Sequence, residues 1–294
     1  MGLFNGYMKP GPGVSKDAPQ KTAFFLFFDI YFRKFWDLIK MNLLYFISIV
    51  WFFIPLALIL VPLFSDYKNM VGNLFLSFTS GGVAMHLPNP WLLLYLLPLA
   101  LAGPATAGFT YVLRNFAREE HAFLWSDYKD TIKSNWKQAL ATGIIQVVAG
   151  MLLVFATAYY YQNIHRSFAF VVPFIFSLLI SILFLFMQYY VYVLIVTFRL
   201  TLSQVFRNAL IFSILGLGRN LLITIFCVIA LVISFYFLPL AVVFVPLLTL
   251  STIGLIVNFW VWPVVKKFMI DPNPENQKKK PEEEPVFEDT GREK

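Results

Sequence analysis

Long uncharged apolar runs alternate with short charged stretches along most of this chain. Windows near residues 43–64, 91–113, 138–161, 168–198, 220–239 and 241–265 hold no Asp, Glu, Lys or Arg before their edges. About 20 apolar residues suffice to cross a bilayer core of roughly 30 Å, at about 1.5 Å per helical residue. Six spans are therefore predicted. The last two windows belong to one apolar stretch, 221–265, which is too long for a single crossing. It is divided near Pro239, where a helix loses a hydrogen bond. The window 168–198 exceeds what a span needs, so that helix is expected to tilt or to project into the cytoplasm.

Three flanking segments read as amphipathic. Before the first span, "FFLFFDIYFRKFWDLIKMN" puts Phe28, Phe32, Phe35, Trp36 and Ile39 on one face and Asp29, Arg33 and Asp37 on another. That pattern predicts a helix along the inner membrane surface that turns at Asn42. After the second span, Leu124, Tyr128, Ile132, Trp136 and Leu140 form one drifting stripe, with Asp127, Lys129, Asp130, Lys133 and Lys137 elsewhere. Between the fourth and fifth spans, Leu202, Val205, Phe206, Ala209 and Leu210 repeat the design. Two readings stand for these helices: they float on the leaflet and cap the bundle, or Leu124, Tyr128, Ile132, Trp136, Val205 and Phe206 dock a cytoplasmic partner.

Charge then orients the spans. With both termini inside, Lys and Arg number 6 before the first span, 5 between the second and third, 3 between the fourth and fifth, and 7 after the sixth. Only Lys68 and Arg166, of 23 cations, fall in outer loops. The positive-inside rule favours this topology, and the net charge of +7 reads as contact with the inner leaflet rather than with nucleic acid. Composition agrees: 59% of residues are hydrophobic and 13% charged, against about 25% charged in ordinary soluble domains. Residues 1–22 show no cleavable signal peptide. The tail 269–294, with Pro, Glu and Lys in blocks, is expected to be disordered.

Within the second window, Gly103 and Pro104 interrupt the apolar run, and Ala107 and Gly108 follow. Pro104 removes the donor for the carbonyl of Ala100 and is expected to kink the helix. The small residues serve either close helix packing or the lining of a substrate path. Milder polar groups lie at membrane depth in the other windows: Thr142, Gln146, Ser177, Ser181, Gln188, Tyr189, Tyr192, Ser251, Thr252 and Asn258. Gln188, Tyr192 and Asn258 are candidates for a polar path that takes hydroxyl-rich ligands, or they bond across helices.

The segment "GPATAGFTYVLRNFAREEHAFLWSDYKDTIKSNWKQA", with "FWDLIKMNLLYF" before it and "GLFN" at the start, resembles the YesL-like family of bacterial membrane proteins, whose domain is of unknown function. Residues 56–97 read as an insertion relative to shorter relatives. Members often occur beside carbohydrate uptake systems of the ATP-binding-cassette type, and the resemblance implies an accessory role in sugar transport.

Catalytic constellations are not evident. The three histidines, His86, His121 and His165, show no metal-ligand spacing, and no phosphate-binding Gly-Lys-Ser/Thr loop occurs. Cys227 is the single cysteine, so no disulfide forms within the chain. No carboxylate lies in a span, which argues against a proton-coupled pump. No cofactor or metal is expected. The sequence thus predicts an all-α, polytopic transmembrane bundle, residues 23–268, in the bacterial cytoplasmic membrane. It reads as a non-enzymatic accessory or scaffold of carbohydrate uptake, in contact with transporter subunits and open to self-association. The alternative is an independent small-solute transporter or channel.

Overall fold

A computed structural model describes residues 22–64, 75–80, 83–88, 100–236 and 243–272; from 52 to 88 it describes the backbone alone. Helices α1 (Ala23–Arg33) and α2 (Phe35–Phe64) are followed by a hairpin of β1 (Phe75–Ser80) and β2 (Val83–Pro88). Then come α3 (Gly103–Ala117), α4 (Leu124–Asn163), α5 (Val171–Thr197), α6 (Leu202–Leu215), α7 (Leu217–Phe235) and α8 (Leu250–Val265). The strands are antiparallel, with Phe75 opposite Pro88 and Ser80 opposite Val83. The described fold is thus helical, and the hairpin falls within the stretch read as an insertion.

Among the described residues, four helices are long and apolar enough to cross a membrane: Leu124–Asn163, Phe168–Thr197, Leu217–Phe235 and Val245–Ile270. They mark the chain as a membrane protein. Val245–Ile270 is the central one, since 50% of its most apolar window is buried, against 22% or less for the other three. Elsewhere the outward faces are apolar: Leu152, Val154, Phe176, Ile180, Leu221 and Val232 are all exposed. Lipid is as good a neighbour for such side chains as a protein core, so no hydrophobic force drives them inward.

Several boundaries differ from expectation. The α1–α2 break falls at Lys34, not at Asn42, and backbone hydrogen bonds continue on both sides of it, from Lys34 N–H to Ile30 and from Leu38 N–H to Lys34. Asn42 lies fully buried inside α2. The amphipathic stretch after residue 123 is continuous with the third window in one 40-residue helix, α4. That helix is about 60 Å long, twice the thickness of a bilayer core, so it is longer than one straight crossing needs. At Pro104 the helix is interrupted: Ala100 and Leu101 are helical, Ala102 forms a turn, and α3 runs on from Gly103 with Pro104 in its first turn. The first part of that window, the division near Pro239 and the tail beyond Pro272 lie outside the described residues.

Glycine sets the distance between α3 and α4. A Cβ at Gly108 would sit 2.7 Å from the Tyr128 carbonyl oxygen, and one at Gly103 would collide with the Ala139 carbonyl oxygen. One at Gly143 would strike the Ala100 carbonyl oxygen, the group that Pro104 leaves without a helical donor. Ala107, between them, is fully buried. The two helices therefore pack backbone to backbone in an antiparallel hairpin, and α5 and α8 close over α3. Gly218, by contrast, faces open space.

One end of the bundle is basic and tied together. The Arg33 guanidinium donates to Glu119 Oε1, which raises the Arg33 pKa from its ordinary value. Lys34 lies over the Phe116 ring at 5.1 Å and Arg118 over the Trp262 ring at 4.2 Å. Buried Arg114 donates to the Val196 carbonyl and Thr197 Oγ1, both at 2.9 Å, and to Asn115 Oδ1. Its charge thus meets the last carbonyls of α5, where the helix dipole is negative.

Candidate functional site: a polar chamber among four helices

A cavity of about 300 Å³ lies among α2, α3, α5 and α8, a size at the lower end of small-molecule sites. It brings together Gln188 and Tyr192 of α5 and Asn258 of α8, the three residues named as a polar path. Tyr45 of α2, Thr106 and Thr110 of α3 and Tyr189 of α5 are its other polar lining residues, and no lining residue is charged. The Tyr45 and Phe109 rings stack with centroids 4.2 Å apart and form an aromatic side.

Local geometry explains each position. Gln188 Nε2 donates to the Phe184 carbonyl at 3.0 Å, and Asn258 Nδ2 to the Gly254 carbonyl at 2.7 Å, one turn back along their own helices. Gly254 admits α3, because a Cβ there would fall 2.8 Å from Phe109 Cε1. Tyr192 reaches across to α4, where its hydroxyl donates to Gln146 Oε1 at 3.2 Å. Three buried atoms in and behind this wall have no hydrogen-bond partner among the described residues: Asn258 Oδ1, Gln146 Nε2 and Thr142 Oγ1. Unmade hydrogen bonds of buried groups cost about 1–3 kcal/mol each, and none of these three atoms presents surface to the cavity.

The small residues Gly103, Pro104, Ala107 and Gly108 stand in or beside the α3–α4 contact. A Cβ at Gly103 would lie 3.3 Å from the Tyr192 hydroxyl, so this glycine also makes room for the chamber wall. The docking stripe is rearranged. Tyr128 and Val205 are buried at 3% and 0% exposure, and Leu124, Ile132 and Phe206 pack against the core. Buried side chains cannot meet a partner, so of that set only Trp136, at 48%, is exposed. The outward face of the same segment carries Trp125, Lys129, Lys133 and Trp136.

Asn42, read from sequence only as a turn, bonds to three backbone groups more than 200 residues away. Its Nδ2 donates to the carbonyls of Val245 (2.8 Å) and Pro246 (2.5 Å), and its Oδ1 accepts from Ser251 N–H at 2.6 Å. Residues Val245–Thr249 form a π turn at the head of α8. Such a turn shifts the backbone ladder by one residue, and the buried Asn42 carboxamide satisfies what it leaves open. The signal in the sequence was a lone Asn in an apolar helix together with a proline some 200 residues later.

A second cavity, of about 330 Å³, opens among α1, α7 and α8. Phe27, Phe226 and Trp260 line it, with Tyr31 bonded to Thr252 and Ser234 to Thr249 on its wall. Among the described residues, no group of three or more His, Cys, Asp or Glu side chains is placed to share a metal ion.

These features define a helical membrane protein with an uncharged, half-open and mostly apolar cavity between its helices. A family model described as "Protein of unknown function, DUF624" matches residues 69–157, which takes in α3, most of α4 and the glycines that join them. The match begins inside the stretch read as an insertion. No curated protein and no solved structure matches the chain.

Proposed function

We propose that this is a six-span protein of the bacterial cytoplasmic membrane, YesL-like in family, with both termini in the cytoplasm. It acts as a non-enzymatic accessory or scaffold of carbohydrate uptake of the ATP-binding-cassette type. In this reading α2 and the window 91–113 supply two spans beyond the four long apolar helices. Orientation is supported by the gathering of Arg33, Lys34, Arg114 and Arg118 at one end, while His165 and Arg166 lie in the turn between α4 and α5. A cysteine placed at position 165 is expected to react with an impermeant maleimide on intact cells, and one at position 130 only after lysis. Cys227 is buried and adds little background. The opposite labelling pattern would invert the topology.

The accessory reading is carried by the amphipathic first third of α4, where Trp125, Lys129, Lys133 and Trp136 form an outward aromatic and basic face. Exposed aromatic and cationic side chains beyond the apolar layer suit a partner's surface as well as headgroups. Photo-crosslinkers at positions 125 and 136, in native membranes, are expected to capture permease or ATPase subunits of a sugar transporter. Capture of lipid alone, or only of further copies of this chain, would count against the accessory role.

The chamber favours a second reading, an independent small-solute transporter or channel. Its polar atoms converge from four helices, as they do in sites built between the helices of a bundle.

A further inference from the structure

A third cavity, of about 380 Å³, lies where the bend between α6 and α7 meets the end of the helix Val245–Ile270. Arg219 and Lys267 both line it, and no carboxylate does. It presents more polar surface than either cavity described above. The bend is held from behind: Tyr190 of α5 donates to Asn220 Oδ1 at 2.7 Å, and Asn220 Nδ2 donates to the Ser213 carbonyl at 3.0 Å, all three residues being fully buried. Phe212 of α6 stacks on Phe268 with ring centroids 6.2 Å apart, and Lys267 lies over that same Phe268 ring at 5.5 Å. The two cations thus stand on different helices whose packing is fixed around the cavity. Its rim is apolar, since Leu215 and Phe268 also line it and are exposed.

We infer that this cavity binds an anionic phospholipid, with Arg219 and Lys267 on its phosphate and its acyl chains along Leu215 and Phe268. α7 has 19 residues, about the length that matches the thickness of a bilayer core, so its first turn reaches a membrane surface. The cavity joins that turn to the last turns of Val245–Ile270, and it therefore lies at the level of the headgroups whichever way the chain is oriented. Two cations that share a cavity without an acid are balanced by an anion, and basic pockets between the ends of spanning helices are suited to anionic headgroups. The guanidinium adds geometry to charge, because its paired N–H groups match two phosphate oxygens. A zwitterionic headgroup fits less well, since its own cation finds no acid on this wall. The rim separates a lipid from a soluble anion: exposed Leu215 and Phe268 gain only from apolar chains.

The test is native mass spectrometry of the full-length protein in mild detergent, titrated with dioleoylphosphatidylglycerol and, separately, with dioleoylphosphatidylcholine. Phosphatidylglycerol is expected to bind saturably and more tightly than phosphatidylcholine, and to bind Arg219→Gln/Lys267→Gln about tenfold more weakly than the wild type. Lys267→Gln alone alters an exposed side chain and should melt as the wild type does, so weaker binding by it reads the site in a folded protein. Lys133→Gln/Arg207→Gln removes the same charge from exposed positions elsewhere and should bind as the wild type does. An equal loss in that pair would overturn the inference, because the attraction would then be to the basic surface at large. Equal affinity for phosphatidylcholine would overturn it too, as would displacement of the lipid by inorganic phosphate, which has no chains and would make the cavity a free-anion site. Binding of phosphatidylglycerol only by Glu282→Gln/Glu283→Gln/Glu284→Gln would assign the cavity to the chain's own acidic tail and sink the lipid assignment.

Discussion

Asn42→Leu is expected to lower the melting temperature of the detergent-purified protein by about 10 °C and to reduce its yield in membranes. The side chain is fully buried and touches three backbone groups more than 200 residues away: the carbonyls of Val245 and Pro246 and the N–H of Ser251. Leucine fills similar space, so the loss is one of hydrogen bonding rather than packing. Each buried backbone group left unpaired costs about 1–3 kcal/mol; some relax toward one another, and a net loss of about 3–5 kcal/mol is expected. At about 2–4 °C per kcal/mol for a chain of this size, the shift follows. Asn42→Asp tests the direction of the bonds. Its carboxylate keeps the acceptor for Ser251 but lacks the donor that serves Val245 and Pro246, and it adds a charge. It should therefore melt no higher than the leucine variant. A Leu variant with wild-type melting would mean that the π turn is held without α2.

The same residue shows where reading from sequence succeeds and where it stops. Apolar length is a local property, so the long windows became helices: residues 43–64 lie within α2, 138–161 within α4 and 168–198 in α5 with its leading 3-10 turn. Which way a stripe faces is not local. In a soluble helix, Leu124, Tyr128 and Ile132 would point inward by default, but in a membrane protein lipid and core are equally apolar. The periodicity alone thus fitted a docking face, whereas the structure buries Tyr128 beneath Gly108. Pro104 carried a similar ambiguity, since the residue that kinks a helix also opens one. Gln188, Tyr192 and Asn258 were legible as polar side chains among apolar ones. That they share one wall depended on the crossing of α5 with α8, which no spacing encodes. The hydrogen bonds of Tyr45, Tyr189 and Tyr192 were further out of reach, because their partners Thr106, Thr224 and Gln146 lie on other helices.

Gly103→Ala and Gly143→Ala together should abolish the α3–α4 hairpin as built. Each new methyl group meets backbone rather than a movable side chain: at 103 the carbonyl carbon of Ala139 would be 3.0 Å away, and at 143 the Cα of Ala100 would be 3.1 Å away, with the carbonyl oxygens closer still. Overpacking commonly costs about 1–3 kcal/mol per site, and a backbone clash belongs at the upper end because only a shift of a whole helix relieves it. The pair is expected to cost about 5 kcal/mol, seen as loss of folded protein by size-exclusion chromatography. Gly218→Ala, where nothing lies within 4 Å, should leave the elution profile unchanged and so controls for the added methyl itself. The singles carry different information. Gly103 also borders the Tyr192 hydroxyl at 3.3 Å, so Gly103→Ala should leave less folded protein than Gly143→Ala does. Equal loss in both would mean that helix separation alone, and not contact with Tyr192, sets the cost; wild-type yield in the double variant would show that α3 and α4 do not need contact at backbone distance.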